Sequence, residues 1–226
     1  MKVALLIPGY LDSPDYQHLL IFEKRLKELG YTVERIDPCD LWKTGNIENY
    51  TLTNCLKQIK DRISYYQDQK SEEIILIGHS MGAFTAIVGG VENDGVSKII
   101  ALCPPPTRKL SASKWINREP RLSKRDLPED PNQFREFVVP YSYVEDALQY
   151  SAVESAKKID KSFMLFIAME DKAVPPEETE KIAVAAKNPY VVRQPNMGHD
   201  FRNSKEESEI VMDKIEEFLS KAGNQE

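Results

Sequence analysis

The pentapeptide Gly78-His79-Ser80-Met81-Gly82 limits what this chain can fold into more than any other segment. It follows the apolar, β-branched run Ile74-Ile75-Leu76-Ile77 and precedes Ala83-Phe84-Thr85-Ala86-Ile87-Val88. A strand, a Gly-x-Ser-x-Gly turn and then a helix-compatible run is the context that exposes a nucleophilic serine on a sharp elbow. Gly78 and Gly82 are needed because a Cβ at either position would collide with neighbouring backbone, and the serine itself is expected in a strained conformation. The bare pattern is short enough to arise by chance. Its flanking runs give it weight.

Such an elbow requires a parallel sheet with helical returns, and the rest of the chain supplies one. Short apolar runs near Val3–Pro8, Thr32–Ile36, Glu73–Gly78, Lys98–Cys103, Phe163–Ala168 and Tyr190–Arg193 read as strands. Their apolar character is continuous rather than alternating, as in strands covered on both faces. Helical spacing marks Tyr16–Leu29 (stopped by Gly30), Leu52–Tyr66, Met81–Val88, Pro176–Ala186 and Ser204–Leu219. The expected fold is therefore α/β, a mostly parallel sheet with helices on both faces joined by right-handed crossovers. From Pro104-Pro105-Pro106 to about Tyr150 the alternation stops and no strand signal is visible. Residues 104–150 read as a partly helical insertion, a cap or binding loop, within a single domain spanning 1–226.

Composition narrows the function classes. A chain of 226 residues can bury a core without staples, and a net charge of −6 with no basic reading motif argues against nucleic-acid binding. Cys39, Cys55 and Cys103 are odd in number and lack CxxC spacing, which fits a reducing, cytoplasmic setting rather than a disulfide framework. The apolar start Val3–Ile7 ends at Pro8-Gly9, too short for a secretory core, and no run reaches the length of a membrane span. Residues 108–125 depart from the acidic average: seven Lys/Arg face one acid there, so the remainder sums to −12. That basic stretch is either a solvated surface or a lure for substrates carrying a remote carboxylate or phosphate, with Arg118, Arg121 and Arg125 as the residues to vary.

A serine hydroxyl needs a base to take its proton, and the base needs an acid to orient it. Of the three histidines, His79 lies inside the elbow and points away from Ser80. His18 falls in the first helix as a solvated or core-edge residue. His199 sits in the loop between the last strand and the last helix, at the sheet edge where sites assemble, and is the base by elimination and position. Asp171 follows the strand Phe163–Ala168 and leaves the sheet at the same edge, with Glu170 as the rival acid. The order Ser80, Asp171, His199 is the one this elbow calls for. Cys103 reads as a small core residue and Asp200 as a helix N-terminal acid. The amide of Met81, opening a helix after the nucleophile, is a donor for a developing oxyanion.

With these residues in place, the chain resembles a compact member of the α/β-hydrolase superfamily, in the branch of serine esterases, lipases and aminopeptidase-like hydrolases. The matching residues are Pro8-Gly9-Tyr10, the elbow Gly78–Gly82, Asp171 with Val174-Pro175, and Gly198-His199. The likeness covers nearly the whole chain except the insertion. Members usually carry a histidine-glycine pair where this chain has Pro8-Gly9, and often an extra N-terminal hairpin, absent here. The resemblance therefore implies about six strands in the order 2-1-3-4-5-6, with Tyr10 as the second oxyanion donor. It implies a serine hydrolase, a carboxylesterase acting on a small ester through an acyl-enzyme, with no metal or organic cofactor. Thioester or small-amide cleavage by the same residues, or a binding protein that has lost turnover, remain as alternatives. Trp115, Tyr141 and Tyr143 in the insertion could line the substrate pocket or merely pack it onto the sheet.

Overall fold

A computed structural model describes residues 1–107 and 115–222. Six strands form one parallel sheet: β1 (Lys2–Ile7), β2 (Tyr31–Arg35), β3 (Glu73–His79), β4 (Lys98–Leu102), β7 (Ser162–Ala168) and β8 (Tyr190–Gln194). Their order is β2-β1-β3-β4-β7-β8, which is 2-1-3-4-5-6 when the sheet strands alone are counted. The apolar runs behave as period-two structures buried on both sides. Val3, Leu5, Ile7, Ile74 and Leu76 pack on one face, and Ala4, Leu6, Ile75 and Ile77 on the other. Helices α3 (Leu52–Asp68) and α4 (Met81–Val91) cover the first face, while α1 (Gln17–Glu28) and the C-terminal helix α8 (Lys205–Ala222) cover the second. Helix α4 is apolar on nearly every side because it runs under the sheet centre, and Met81–Gly90 are all buried.

The insertion departs from expectation. It contains two antiparallel strands, β5 (Arg121–Asp126) and β6 (Phe134–Val139), paired from Arg121↔Val139 to Asp126↔Phe134. These strands escaped the sequence reading because β5, Arg-Leu-Ser-Lys-Arg-Asp, has no apolar face to show. Its strands are held instead by their ladder and by cross-strand charge, as in the Lys124–Glu136 ion pair at 2.6 Å. Only β6 sends apolar side chains inward, Phe137 and Val139. The ribbon is followed by two short helices, α5 (Ser142–Ala147) and α6 (Ala152–Ala156), so the segment is helical only in part. Arg108, Lys109 and Lys114 of the basic stretch lie outside the described residues. A third apolar cluster forms beneath the insertion, combining Leu11, Leu41, Tyr50, Cys55, Trp115, Phe137, Val139, Tyr143 and Val144. It joins the hairpin to the loop after β1. The remaining helices are α2 (Leu41–Thr44) and α7 (Pro176–Ala185).

Candidate active site

Ser80 stands where β3 ends and α4 begins, with φ +53° and ψ −114°. A non-glycine residue at positive φ is strained, and the strain is held by close packing on both sides. A Cβ on Gly78 would strike the Gly82 carbonyl, and one on Gly82 would strike the carbonyls of Ile7 and Pro8. The Ser80 amide donates to the Leu102 carbonyl at 2.8 Å, tying the elbow to β4. Met81 is the first residue of α4, where N–H groups have no intrahelical acceptor and the helix dipole is positive.

Three side chains from three loops converge at the sheet's carboxyl edge. His199 Nε2 lies 2.8 Å from Ser80 Oγ, and His199 Nδ1 lies 2.6 Å from Asp171 Oδ2. A carboxylate facing Nδ1 places the imidazole proton there, which leaves Nε2 as the acceptor for the serine hydroxyl. Asp171 is nearly fully buried, and its other oxygen accepts the amides of Ala173 and Val174 at 2.8 and 2.7 Å. Those two bonds fix its orientation. Glu170 is exposed, and its side chain makes none of these contacts.

The histidine loop is itself held by a residue whose role was not legible in the elbow motif. His79 is buried, and its Nε2 lies 3.1 Å from the His199 carbonyl. Burial, with His199 and His18 nearby, pushes its pKa well below the ordinary value, so it stays neutral and donates to that carbonyl. His18, expected to be solvated or at a core edge, is instead fully buried among His79, Phe22 and Phe201. Burial lowers its pKa to about 3, keeping it neutral too.

The loop after β1 is clamped by the insertion. Arg125 on β5 donates twice to the Tyr10 carbonyl, at 2.8 and 2.7 Å, and pairs with Asp12 at 3.2 Å. On the other side of the same peptide unit, the Leu11 amide donates to the Tyr50 hydroxyl at 2.8 Å. Both polar ends of the Tyr10–Leu11 peptide are therefore pinned. Asp12 also faces Arg202, which bonds Asp126 at 3.2 Å and stacks over the Tyr16 ring at 4.4 Å. Burial raises the Asp12 pKa, and the two guanidiniums act against that rise. This charge network links the β1 loop, the hairpin and the segment just after His199.

These elements form an open cleft of about 470 Å³ whose lining includes Ser80, His199, Tyr10, Trp115, Leu122, Arg121 and Val174. Trp115 thus lies in the cavity lining, whereas Tyr141 and Tyr143 stand outside it. Tyr143 is buried and stacks on Tyr50 at 5.4 Å, and Tyr141 meets Trp115 edge-on at 6.1 Å. The basic residues separate in the same way. Arg118 pairs with Glu145 at 3.7 Å and covers Tyr141, away from the cavity. Lys124 and Arg125 line the cavity but face Glu136 and Asp12. Arg121 lines it and has no acid partner among the described residues.

Cys103, Asp171 and His199 bring one donor atom each within 4.8 Å of one another. The set does not suit a metal: His199 Nδ1 is occupied by Asp171, and burial beside that carboxylate pushes the Cys103 thiol up, so it stays protonated. Cys103 acts as a small buried wall behind Asp171. Asp200 is exposed at the cavity rim, makes no capping bond and lies 3.7 Å from Arg202.

No protein-family model matches the chain. The mouse (Mus musculus) protein described as palmitoyl-protein thioesterase ABHD10, mitochondrial, is 24% identical over 196 residues, covering 83% of this chain and 64% of that protein. The rat (Rattus norvegicus) counterpart is 22% identical over the same shares. The chain thus spans about 64% of the length of the curated relatives it matches. Among solved structures, ferulic acid-bound Est1E from Butyrivibrio proteoclasticus superposes with a TM-score of 0.78 at 20% identity, over 100% of this chain and 90% of that one. Mouse ABHD10 gives 0.75 at 19% identity over 97% and 90%, and the Paleococcus ferrophilus monoacylglycerol lipase gives 0.71 at 19% over 97% and 94%. The strand order, the strained serine elbow and these likenesses agree on the fold, that of the α/β-hydrolases.

Proposed function

We propose that this protein is a serine hydrolase that cleaves a small carboxylic ester through an acyl-enzyme. The observation that carries the reading is the continuous hydrogen-bonded line from Ser80 through His199 to Asp171. Ser80 Oγ attacks the carbonyl carbon while His199 Nε2 takes its proton. Asp171 holds the imidazole in the required tautomer and stabilises its charged form. The developing oxyanion is received by the amides of Met81 and Tyr10, each worth about 3 kcal/mol to the transition state. His199 then returns the proton to the departing alcohol, and water repeats the sequence in reverse to release the acid. In this reading the insertion is a cap. It supplies Trp115 and Arg121 to the cavity and, through Arg125, fixes the loop that carries Tyr10.

A thioester substrate is the second reading, favoured by the thioesterase description of the mouse and rat relatives. The cavity walls weigh toward a small polar ester. Arg121, Lys124, Arg125 and Asp200 occupy positions that a long acyl chain would have to desolvate.

The test is labelling with a fluorophosphonate probe, which needs both an activated serine and an oxyanion site. Wild-type protein should be labelled at Ser80 alone, and Ser80→Ala should be unlabelled and inactive toward matched oxygen and sulfur esters. Undiminished labelling of the alanine variant would overturn the assignment. Failure of wild-type protein to turn over any ester, thioester or small amide in a graded panel would favour a binding protein instead.

A further inference from the structure

Two cysteines that sequence spacing left unrelated meet in space. Cys39 Sγ lies 3.2 Å from Cys55 Sγ, closer than two unbonded sulfurs rest when no hydrogen bond joins them. Cys39 follows Pro38 on the turn between β2 and α2, and Cys55 sits in the first turns of α3. The turn holds Cys39 in a left-handed conformation, φ +57°, that a side-chain-bearing residue seldom adopts. Gln58 stabilises it, accepting the Cys39 amide at 2.8 Å and donating to the Asp37 carbonyl at 3.0 Å. The effect is to aim the Cys39 side chain at α3. Cys39 is half-buried and reachable, whereas Cys55 is buried, so the pair has one outward and one inward thiol.

We propose that Cys39 and Cys55 form a redox-reactive dithiol, closed to a disulfide by exchange with a small-molecule disulfide. The thiolate of Cys39 attacks one sulfur of the external disulfide, forming a mixed disulfide and releasing one small thiolate, which takes up a proton. Cys55 then loses its proton and attacks the Cys39 sulfur, forming the intramolecular bond and expelling the second small thiol. Two protein thiols are oxidised and one external disulfide is reduced to two thiols. The direction of attack follows from the surroundings. The hydrogen bond from Cys55 holds the Cys39 thiol below its ordinary pKa, while that same contact and burial push Cys55 well above it. Closing the bond to about 2.05 Å needs a shift of roughly an ångström, within reach of side-chain rotation.

The crosslink would act on the support of the β1 loop. Cys55 shares a narrow cleft with Ile7, Pro8, Tyr50, Met81 and Tyr143. Tyr50, which holds the Leu11 amide, lies inside the segment that the bond between residues 39 and 55 would close. Cys103 takes no part, being buried beside Asp171 and His199.

The test uses the whole wild-type protein equilibrated with mixtures of reduced and oxidised glutathione, quenched with a maleimide and mapped by mass spectrometry without reduction. The expected species is a linked peptide pair containing Cys39 and Cys55, two hydrogens lighter than the dithiol. It should exceed glutathione-capped Cys39 by about tenfold, because the second thiol is already in place. Cys103 should react with maleimide only after denaturation. The linked form should melt about 6–12 °C higher than the reduced form, from the entropy a closed loop of this length removes from the unfolded chain. Cys39→Ser and Cys55→Ala should each abolish the shift, and Cys103→Ala should leave it intact. Accumulation of capped Cys39 without linkage, free thiols at both positions across all mixtures, or an unchanged melting temperature in the linked form would each overturn the proposal.

Discussion

The carboxyl edge of the parallel sheet and the hairpin facing it are built by opposite means. At the sheet edge, Ser80 and Asp171 extend from strands whose residues are buried on both faces, and His79 and Asp171 are themselves nearly inaccessible. Position there is dictated by backbone packing, down to two glycines that leave no room for a methyl group. The β5–β6 hairpin rests on charge and ladder bonds and on only two buried apolar side chains, Phe137 and Val139, with Leu122, Phe134 and Val138 more than half exposed. The first region holds Ser80, His199 and Asp171 at hydrogen-bonding distance through rigid packing, the kind of positioning that the proposed proton transfer would need. The second is largely exposed, yet it reaches back through Arg125 to the Tyr10 carbonyl. The exposed hairpin is thus tied to the buried sheet edge through a charge network that joins Arg125, Asp12, Arg202 and Asp126.

Substitutions that separate the two regions test this contrast. The largest effect should follow Asp171→Asn, which permits the wrong imidazole tautomer: kcat should fall by about 10⁴, against less than about tenfold for the exposed Glu170→Gln. A larger loss from Glu170→Gln, read in steady-state kinetics, would move the acid role to that residue. In the sheet core, Phe84→Ala should cost about 3–5 kcal/mol of stability in chemical denaturation, whereas Val138→Ser on the hairpin should stay within about 0.5 kcal/mol. Comparable losses at both sites would mean that the hairpin is as integral to the fold as the sheet.

Arg125→Gln should lower kcat/KM by about tenfold for neutral and anionic esters alike, since it releases the Tyr10–Leu11 peptide and strips Asp12 of a partner. The smallest effect, and the most selective, belongs to Arg121→Gln. It should reduce kcat/KM a few-fold for an ester bearing a remote carboxylate, leave a neutral ester of equal size unchanged, and diminish the salt dependence of the anionic reaction. Equal responses of both esters to Arg121→Gln would leave that arginine without a role in substrate choice. A selective response to Arg125→Gln would show that the clamp residue also reads substrate charge.

Much of this is legible in the sequence. Continuous apolar strands, helical spacing and the glycine-flanked serine are local patterns, and a local pattern is dictated by the periodicity of the backbone itself. Hence the strand positions, the elbow and the chain order of Ser80, Asp171 and His199 could be set down from residues 3–8, 32–36, 73–82, 98–103, 163–171 and 190–199, whereas the strand order was implied only by the family resemblance. The strand β5 could not, because its stability comes from pairing with β6 and from cross-strand charges, and neither is a property of its own six residues.

What only the tertiary structure decided are the relations between residues far apart in sequence. Arg125 and Tyr10, 115 positions apart, meet because the hairpin folds over the first loop. His79 and His199, 120 apart, meet because β3 and the loop after β8 end at one edge. Cys39 and Cys55 meet because a left-handed turn aims one at the helix bearing the other. The physical reason is the same in each case. Sequence specifies elements through short-range sterics and hydrophobic periodicity, whereas a partner across the fold is chosen by how the elements pack.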